Sequence, residues 1–266
     1  MKTKKLTLML PVIALVACNN IGNKLTHDEA TKRAQEIHDA SQAFYLVGEG
    51  IEIKLDYKET TGKGDERQAI DSNYILKLNK KGDRYAKSKV NTTVKGVTVK
   101  ADIEYYEIVD ENDDKIFYVK YYDQATNTYA TQVIDSNVID NYYEITENFA
   151  LLSEVPFSMA QSFLDPVTVI ERFDEQYDEE EAYIGEIAYY STGNNNLTMK
   201  ISVDQKADNT EEEITTYGRA TAYYDDGFFK SLNAKWSTSY GNKTDMKINM
   251  SYLEKLPITA PTDWNK

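Results

Sequence analysis

Ile51-Glu52-Ile53-Lys54-Leu55-Asp56-Tyr57-Lys58 decides the fold. Apolar and charged residues alternate strictly, so successive side chains leave an extended backbone on opposite faces. One face is apolar and the other wet, as in an antiparallel sheet covered on one side only. The same period of two recurs at Tyr74, Leu76 and Leu78, and at Val97, Val99, Ala101, Ile103 and Tyr105. It returns at Leu197, Met199, Ile201 and Val203, then at Leu232, Ala234, Trp236, Thr238 and Tyr240, and at Met246, Ile248, Met250 and Tyr252. Ile116–Tyr122 is a more fully apolar strand, and strands resume after the middle of the chain at about residue 184. Asp110–Asp114 and Asp225-Asp226-Gly227 read as hairpin turns.

Two stretches have helical period instead. Thr26-His27-Asp28-Glu29 is a capping box with Thr26 as N-cap. The helix it opens is expected to reach about Ser41, with Ala30, Ala34 and Ile37 on one face. Phe149, Leu152, Met159 and Phe163 lie at helical spacing within 145–175, which Pro156 and Pro166 divide into two or three short helices. Asp165 stands where it can cap the last of them. Asp174–Glu181 reads as an acidic loop or frayed end, and Pro257–Lys266 as an extended tail. The expected class is therefore α+β: a large curved antiparallel sheet whose apolar face is covered by helices.

The N-terminus carries an address. Lys2, Lys4 and Lys5 precede an apolar run, Leu6 to Ala17, broken only by Thr7 and Pro11. A basic start, a short apolar run and a small residue at its end describe a secretory signal. The run is shorter than the ~20 residues of a membrane span. Leu15-Val16-Ala17-Cys18 resembles the lipobox of bacterial lipoproteins. That resemblance implies cleavage before Cys18, diacylglycerol on its thiol and often acylation of its new amine. Cys18 is the only cysteine, so the chain forms no internal disulfide. The expected layout is a signal peptide at 1–17, a tether at 18–25 and one α+β domain at 26–266. Fully extended, the tether spans at most roughly 28 Å, at ~3.5 Å per residue.

The chain has 30 basic and 44 acidic residues, a net charge of −14. Loss of 1–17 removes three lysines and no acid, leaving 27 against 44, or −17. Such a chain is no nucleic-acid binder, and anionic head groups repel it. The expected partner is the extracytoplasmic face of a bacterial membrane, held through acyl chains on Cys18.

Catalytic constellations are weak. His27 and His38, the only histidines, are eleven residues apart on the first helix, whereas a metal pair on one helix sits three or four apart. There is no Gly-x-Ser-x-Gly elbow and no glycine-rich phosphate loop. Asp110–Asp114 offers alternate carboxylates as calcium loops do. Lys115, however, stands where the turn needs glycine, and Tyr121 holds the position of the bidentate Glu. The expectation is a non-enzymatic protein with no cofactor and no metal, and a hydrolase working through paired carboxylates stays open as a third reading, since spatial pairing of acids is not written in sequence. Tyrosine doublets at 105–106, 121–122, 142–143, 189–190 and 223–224 each send one ring to each face of a strand.

The lipobox, the N-terminal helix, the antiparallel sheet and the central helices together resemble the LolA/LppX-like lipoproteins over roughly residues 26–260. The resemblance lies in element order. It implies a half-open β-barrel covered on its concave face by the N-terminal helix and a central helical segment, with an apolar cavity for acyl chains. Ile51, Ile53, Leu55, Val97, Val99, Ile103, Leu197, Met199, Ile201, Leu232 and Trp236 would line that cavity from the strands. Phe149, Leu152, Met159 and Phe163 would line it from the helices. The function implied is to bind or carry a lipid or other apolar ligand. The alternative is a solid-cored surface module binding protein or glycan through a tyrosine-rich face.

Overall fold

In the computed structural model the described residues are 22–45, 50–62, 64, 67–135, 161, 163–178, 183–209 and 212–264. They form twelve strands and two helices. The strands are β1 (Asn23–Leu25), β2 (Gly50–Thr61), β3 (Gln68–Asn79), β4 (Arg84–Val94), β5 (Val97–Val109), β6 (Lys115–Asp123) and β7 (Thr128–Asp135). After them come β8 (Tyr183–Ser191), β9 (Asn196–Asn209), β10 (Glu212–Asp225), β11 (Phe228–Thr238) and β12 (Lys243–Leu253). The helices are α1 (His27–Tyr45) and α2 (Pro166–Asp178).

All twelve strands belong to one open antiparallel sheet in the order β1-β8-β9-β10-β11-β12-β2-β3-β4-β5-β6-β7. Two meanders, β2 to β7 and β8 to β12, are stitched together where β12 pairs with β2. The alternation in Ile51–Lys58 is what makes this seam. Leu55 lies opposite Ile248 and Ile53 opposite Met250, all on one face. That face holds a continuous core. Ile53, Leu55, Leu76 and Phe117 from the first meander share it with Leu197, Met199, Leu232 and Ile248 from the second.

The turns obey local chemistry. Asp226 and Gly227 have φ of 49° and 79°, the positive pair that a tight hairpin matching strand twist requires. A Cβ at Gly227 would lie 2.6 Å from Ala40 Cβ, so this turn also seats α1. In Asp110–Asp114 the Asp110 carboxylate accepts hydrogen bonds from the Asn112 and Asp114 backbone N–H groups at 2.7 and 3.0 Å. Its oxygens close a turn rather than a calcium loop.

The helices start as the sequence indicates. Glu29 N–H donates to Thr26 Oγ1, and Thr26 N–H donates to Glu29 Oε2 at 2.8 Å, the reciprocal capping box. Val167 N–H donates to Asp165 Oδ1 at 3.0 Å, so Asp165 caps α2. Both helices extend past the sequence reading. α1 runs to Tyr45, and α2 takes in Asp174 and continues to Asp178, so of the two expectations for this stretch, a loop or a frayed end, its first part is the end of a helix. Asn23–Leu25, read as tether, pair with Ser191–Tyr189 of β8. Phe149, Leu152, Met159, Pro156 and Tyr142-Tyr143 lie outside the described residues.

The tail crosses the face opposite the helices. Gly50 makes room for it, because a Cβ there would lie 2.5 Å from Leu256 Cβ. Asn79 Nδ2 donates to the Leu256 carbonyl at 3.3 Å, and the Trp264 ring meets the Tyr106 ring edge-on at 5.5 Å.

Candidate functional site

Among the described residues, α1 and α2 cover only part of the apolar face. Ala30, Ala34 and Ile37 of α1 are buried against it, and α1 contacts β8, β9 and β11. α2 lies antiparallel to α1. His27 Nε2, near the start of α1, is 3.4 Å from Asp174 Oδ2 in the second half of α2. His38 Nδ1, twelve residues into α1, is 3.1 Å from the capping Asp165. Each histidine therefore links the two helices. At 1.5 Å of rise per residue the two rings are roughly 16 Å apart along α1, too far to share an ion. Among the described residues no group of three or more ligating side chains could hold a metal.

Tyr224 fixes the N-terminal end of α2 to the sheet. Its ring is fully buried, and its hydroxyl donates to the Phe163 carbonyl at 2.8 Å. A β-bulge between β10 and β11 at Tyr223/Tyr224 brings Tyr224 and Phe229 together on the helix side, with ring centroids 5.7 Å apart.

The sheet has two distinct ends. At one, called proximal here, lie Asn23 opposite Ser191, the Asp226-Gly227 turn and the Asp110–Asp114 turn. At the distal end lie the Lys95-Gly96 hairpin, the 124–127 turn and the 239–242 turn. Both contacts that locate the helices lengthwise, Ala40 at Gly227 and Phe163 at Tyr224, are proximal. The helix-side face continues distally along Val90, Val94, Val97, Val99, Ile103 and Tyr121, as cross-strand register requires. Val97 is 67% exposed, Val99 50% and Tyr121 40%. Of the large exposed apolar residues among those described, Leu253 alone is proximal.

The residues named for a cavity thus separate into groups. Ile53, Leu55, Leu197, Met199 and Leu232 are buried in the core. Ile51, Ile201 and Phe163 pack partly buried against it, and Ile103 is also partly buried. Val97, Val99 and Trp236 are exposed. The tyrosine doublets divide as strand geometry demands. Tyr105, Tyr189 and Tyr224 are buried on the helix side, whereas their neighbours Tyr106, Tyr190 and Tyr223 are half-buried on the other face.

Sequence reading missed Glu107. Its carboxylate is buried on the helix-side face, between Arg84 of β4 and Lys115 of β6, which form ion pairs with it. Three adjacent strands supply this triad, and only register joins them.

Burial acts strongly on the phenols. It pushes Tyr57, Tyr106 and Tyr189 up to about 12 from an ordinary 10.0, with Glu59, Glu104 and Asp174 respectively adding to the effect. A folded pKa above the unfolded value means that the neutral phenol stabilises the fold. That contribution is complete below pH 10 and is lost as pH rises through about 12. The denaturant midpoint is expected to fall steeply over this interval, while phenolate absorbance of the native chain lags that of the denatured chain. A flat midpoint with coincident absorbance would contradict the burial of these rings.

No known protein family matches the chain, and no curated protein matches it. Among solved structures it is similar to LprF from Mycobacterium bovis at 10% identity, over 91% of this chain and 100% of that one, with a TM-score of 0.30. At that score the likeness assigns nothing.

Proposed function

We propose that this chain is a lipid-anchored protein of the bacterial cell envelope that binds a lipid or other apolar ligand on the helix-side face of its sheet, where that face runs out from under the helices. The carrying observation is the exposed run of Val94, Val97, Val99 and Tyr121, which extends the apolar core face beyond α1 and α2. Water gains nothing at such a surface, whereas an acyl chain laid along it removes apolar area from solvent at about 25 cal/mol per Å². In this reading the open sheet acts as a half-barrel. Residues 1–17 are its signal, and Cys18 carries the acyl anchor.

The reading also has a direction. Asn23 already belongs to the sheet, so only Asn19–Gly22 separate Cys18 from it. The five steps from Cys18 to Asn23 reach roughly 18 Å at most, which would hold the proximal end against the bilayer. Strands of 11–14 residues would then set the apolar mouth roughly 40 Å from the anchor. The ligand would exchange away from the anchoring membrane.

The test is uptake of a fluorescent fatty acid by chain carrying Cys18→Ser, which bears no acyl group of its own. Val97→Asp/Val99→Asp on this background is expected to weaken uptake by roughly tenfold or more, without changing thermal stability, because both positions are exposed. Unchanged uptake would remove the distal face from the site.

A further inference from the structure

The face opposite the helices carries a cleft of about 570 Å³ across β10, β11, β12 and β2, near the distal end. Its size suits one or two sugar rings. Tyr217 and Arg219 line it from β10, Lys235 from β11, Lys243 and Asp245 from β12, and Lys58 from β2. Four cations against one acid is unusual for a chain of net charge −14.

Register sets Asp245 directly opposite both Lys235 and Lys58, but one pairing is costly. Arg219 stands directly opposite Lys235 on the neighbouring strand, and like charges in that relation destabilise a sheet. Three acids temper the cluster: Asp204 is 3.2 Å from Arg219, Asp245 2.8 Å from Lys235 and Asp71 3.2 Å from Lys58. The side chains in these pairs are 44–72% exposed. Exposed ion pairs are weak and screened by salt, so a bound anion can compete with these acids for the cations. Lys243 has no ion pair among the described residues. Beside the cations, Tyr217 presents a ring that is 51% exposed. A flat phenol with a polar tip stacks on the apolar face of a sugar.

We propose that this cleft binds an anionic saccharide, one or two rings long. Arg219 and Lys235 together hold its carboxylate, phosphate or sulfate, Lys58 and Lys243 flank it, and Tyr217 stacks on a ring. The site lies on the other face of the sheet from the lipid reading and does not depend on it.

Calorimetric titration of the full-length chain with a digalacturonate, a hexose phosphate and maltose tests the proposal. At least one charged probe is expected to bind saturably, its charge type identifying the anion, and maltose is not. Arg219→Glu/Lys235→Glu is expected to weaken binding by roughly tenfold or more. Tyr217→Ala, which leaves every charge in place, is expected to weaken it about threefold or more. Lys89→Glu/Lys120→Glu, on the same face but outside the cleft, serves as the charge control and leaves binding unchanged. The proposal is overturned by an absence of saturable binding for both charged probes, or by equal binding of maltose. It is equally overturned if the control reversal weakens binding as much as the cleft reversal, or if Tyr217→Ala has no effect.

Discussion

Tyr224→Ala is expected to lower the unfolding free energy by about 3–5 kcal/mol, the range for removing a fully buried aromatic ring. The ring packs against Phe229 and has no exposed surface. Its hydroxyl is also the hydrogen bond from β10 to the backbone that leads into α2. Tyr224→Phe keeps the ring and removes only that bond, so about 1 kcal/mol is expected from it. Denaturant midpoints separate the two effects, and hydrogen exchange of α2 amides reports where the loss is felt. Faster exchange in α2 for both variants fits a clasp between sheet and helix. Equal destabilisation by the two variants would mean that the hydroxyl, not the ring, dominates.

Truncation at the seam is expected to have a comparable effect. Leu55 and Ile248 are direct partners across β2 and β12, and both are fully buried. Leu55→Ala and Ile248→Ala should each cost about 2–5 kcal/mol, depending on how far the site collapses. Because they touch, the double variant should depart from additivity by about 0.5–3 kcal/mol. The more informative readout is cooperativity. The two meanders share one core, so each variant should still unfold in a single transition. Two resolved transitions would make the meanders separate units joined at β12 and β2.

The strands that were legible are those whose helix-side positions are large and apolar. β2 alternates Ile51, Ile53, Leu55 and Tyr57 against charges, and β9 alternates Leu197, Met199, Ile201 and Val203 against polar residues. β4 and β10 escaped because small or polar residues interrupt their helix-side positions: Ala86, Ser88 and Thr92 in one, Gly218, Ala220 and Ala222 in the other. Opposite Leu76 and Tyr74, small residues are what a close-packed face needs, yet they carry no hydrophobic signal. Caps and turns were readable because their chemistry is local, as at Thr26–Glu29 and Asp226-Gly227. Their ends were not, since α2 carries an acidic stretch whose local composition suggests a loop.

The same distinction governs the sites. The apolar character of Val97 and Val99 was visible in sequence, but their exposure depends on where α1 and α2 come to rest. The Glu107 triad and the cationic cleft were invisible because each gathers residues from three or four strands. Only the pairing of Arg219 with Lys235 and of Lys235 with Asp245 assembles the latter. One reading changed in substance: Asn23–Leu25 are sheet, which shortens any link between Cys18 and the domain.

The lipid reading places an apolar ligand on the helix-side face of the sheet, beside α1 and α2 and along Val97 and Val99. Native mass spectrometry of the Cys18→Ser chain, purified without detergent and followed by organic extraction, addresses it directly. A stoichiometric acyl-chain ligand, displaced by added fatty acid and lost in Val97→Asp/Val99→Asp, is the expected result. A clean unliganded mass that takes up neither phospholipid nor fatty acid would contradict the claim.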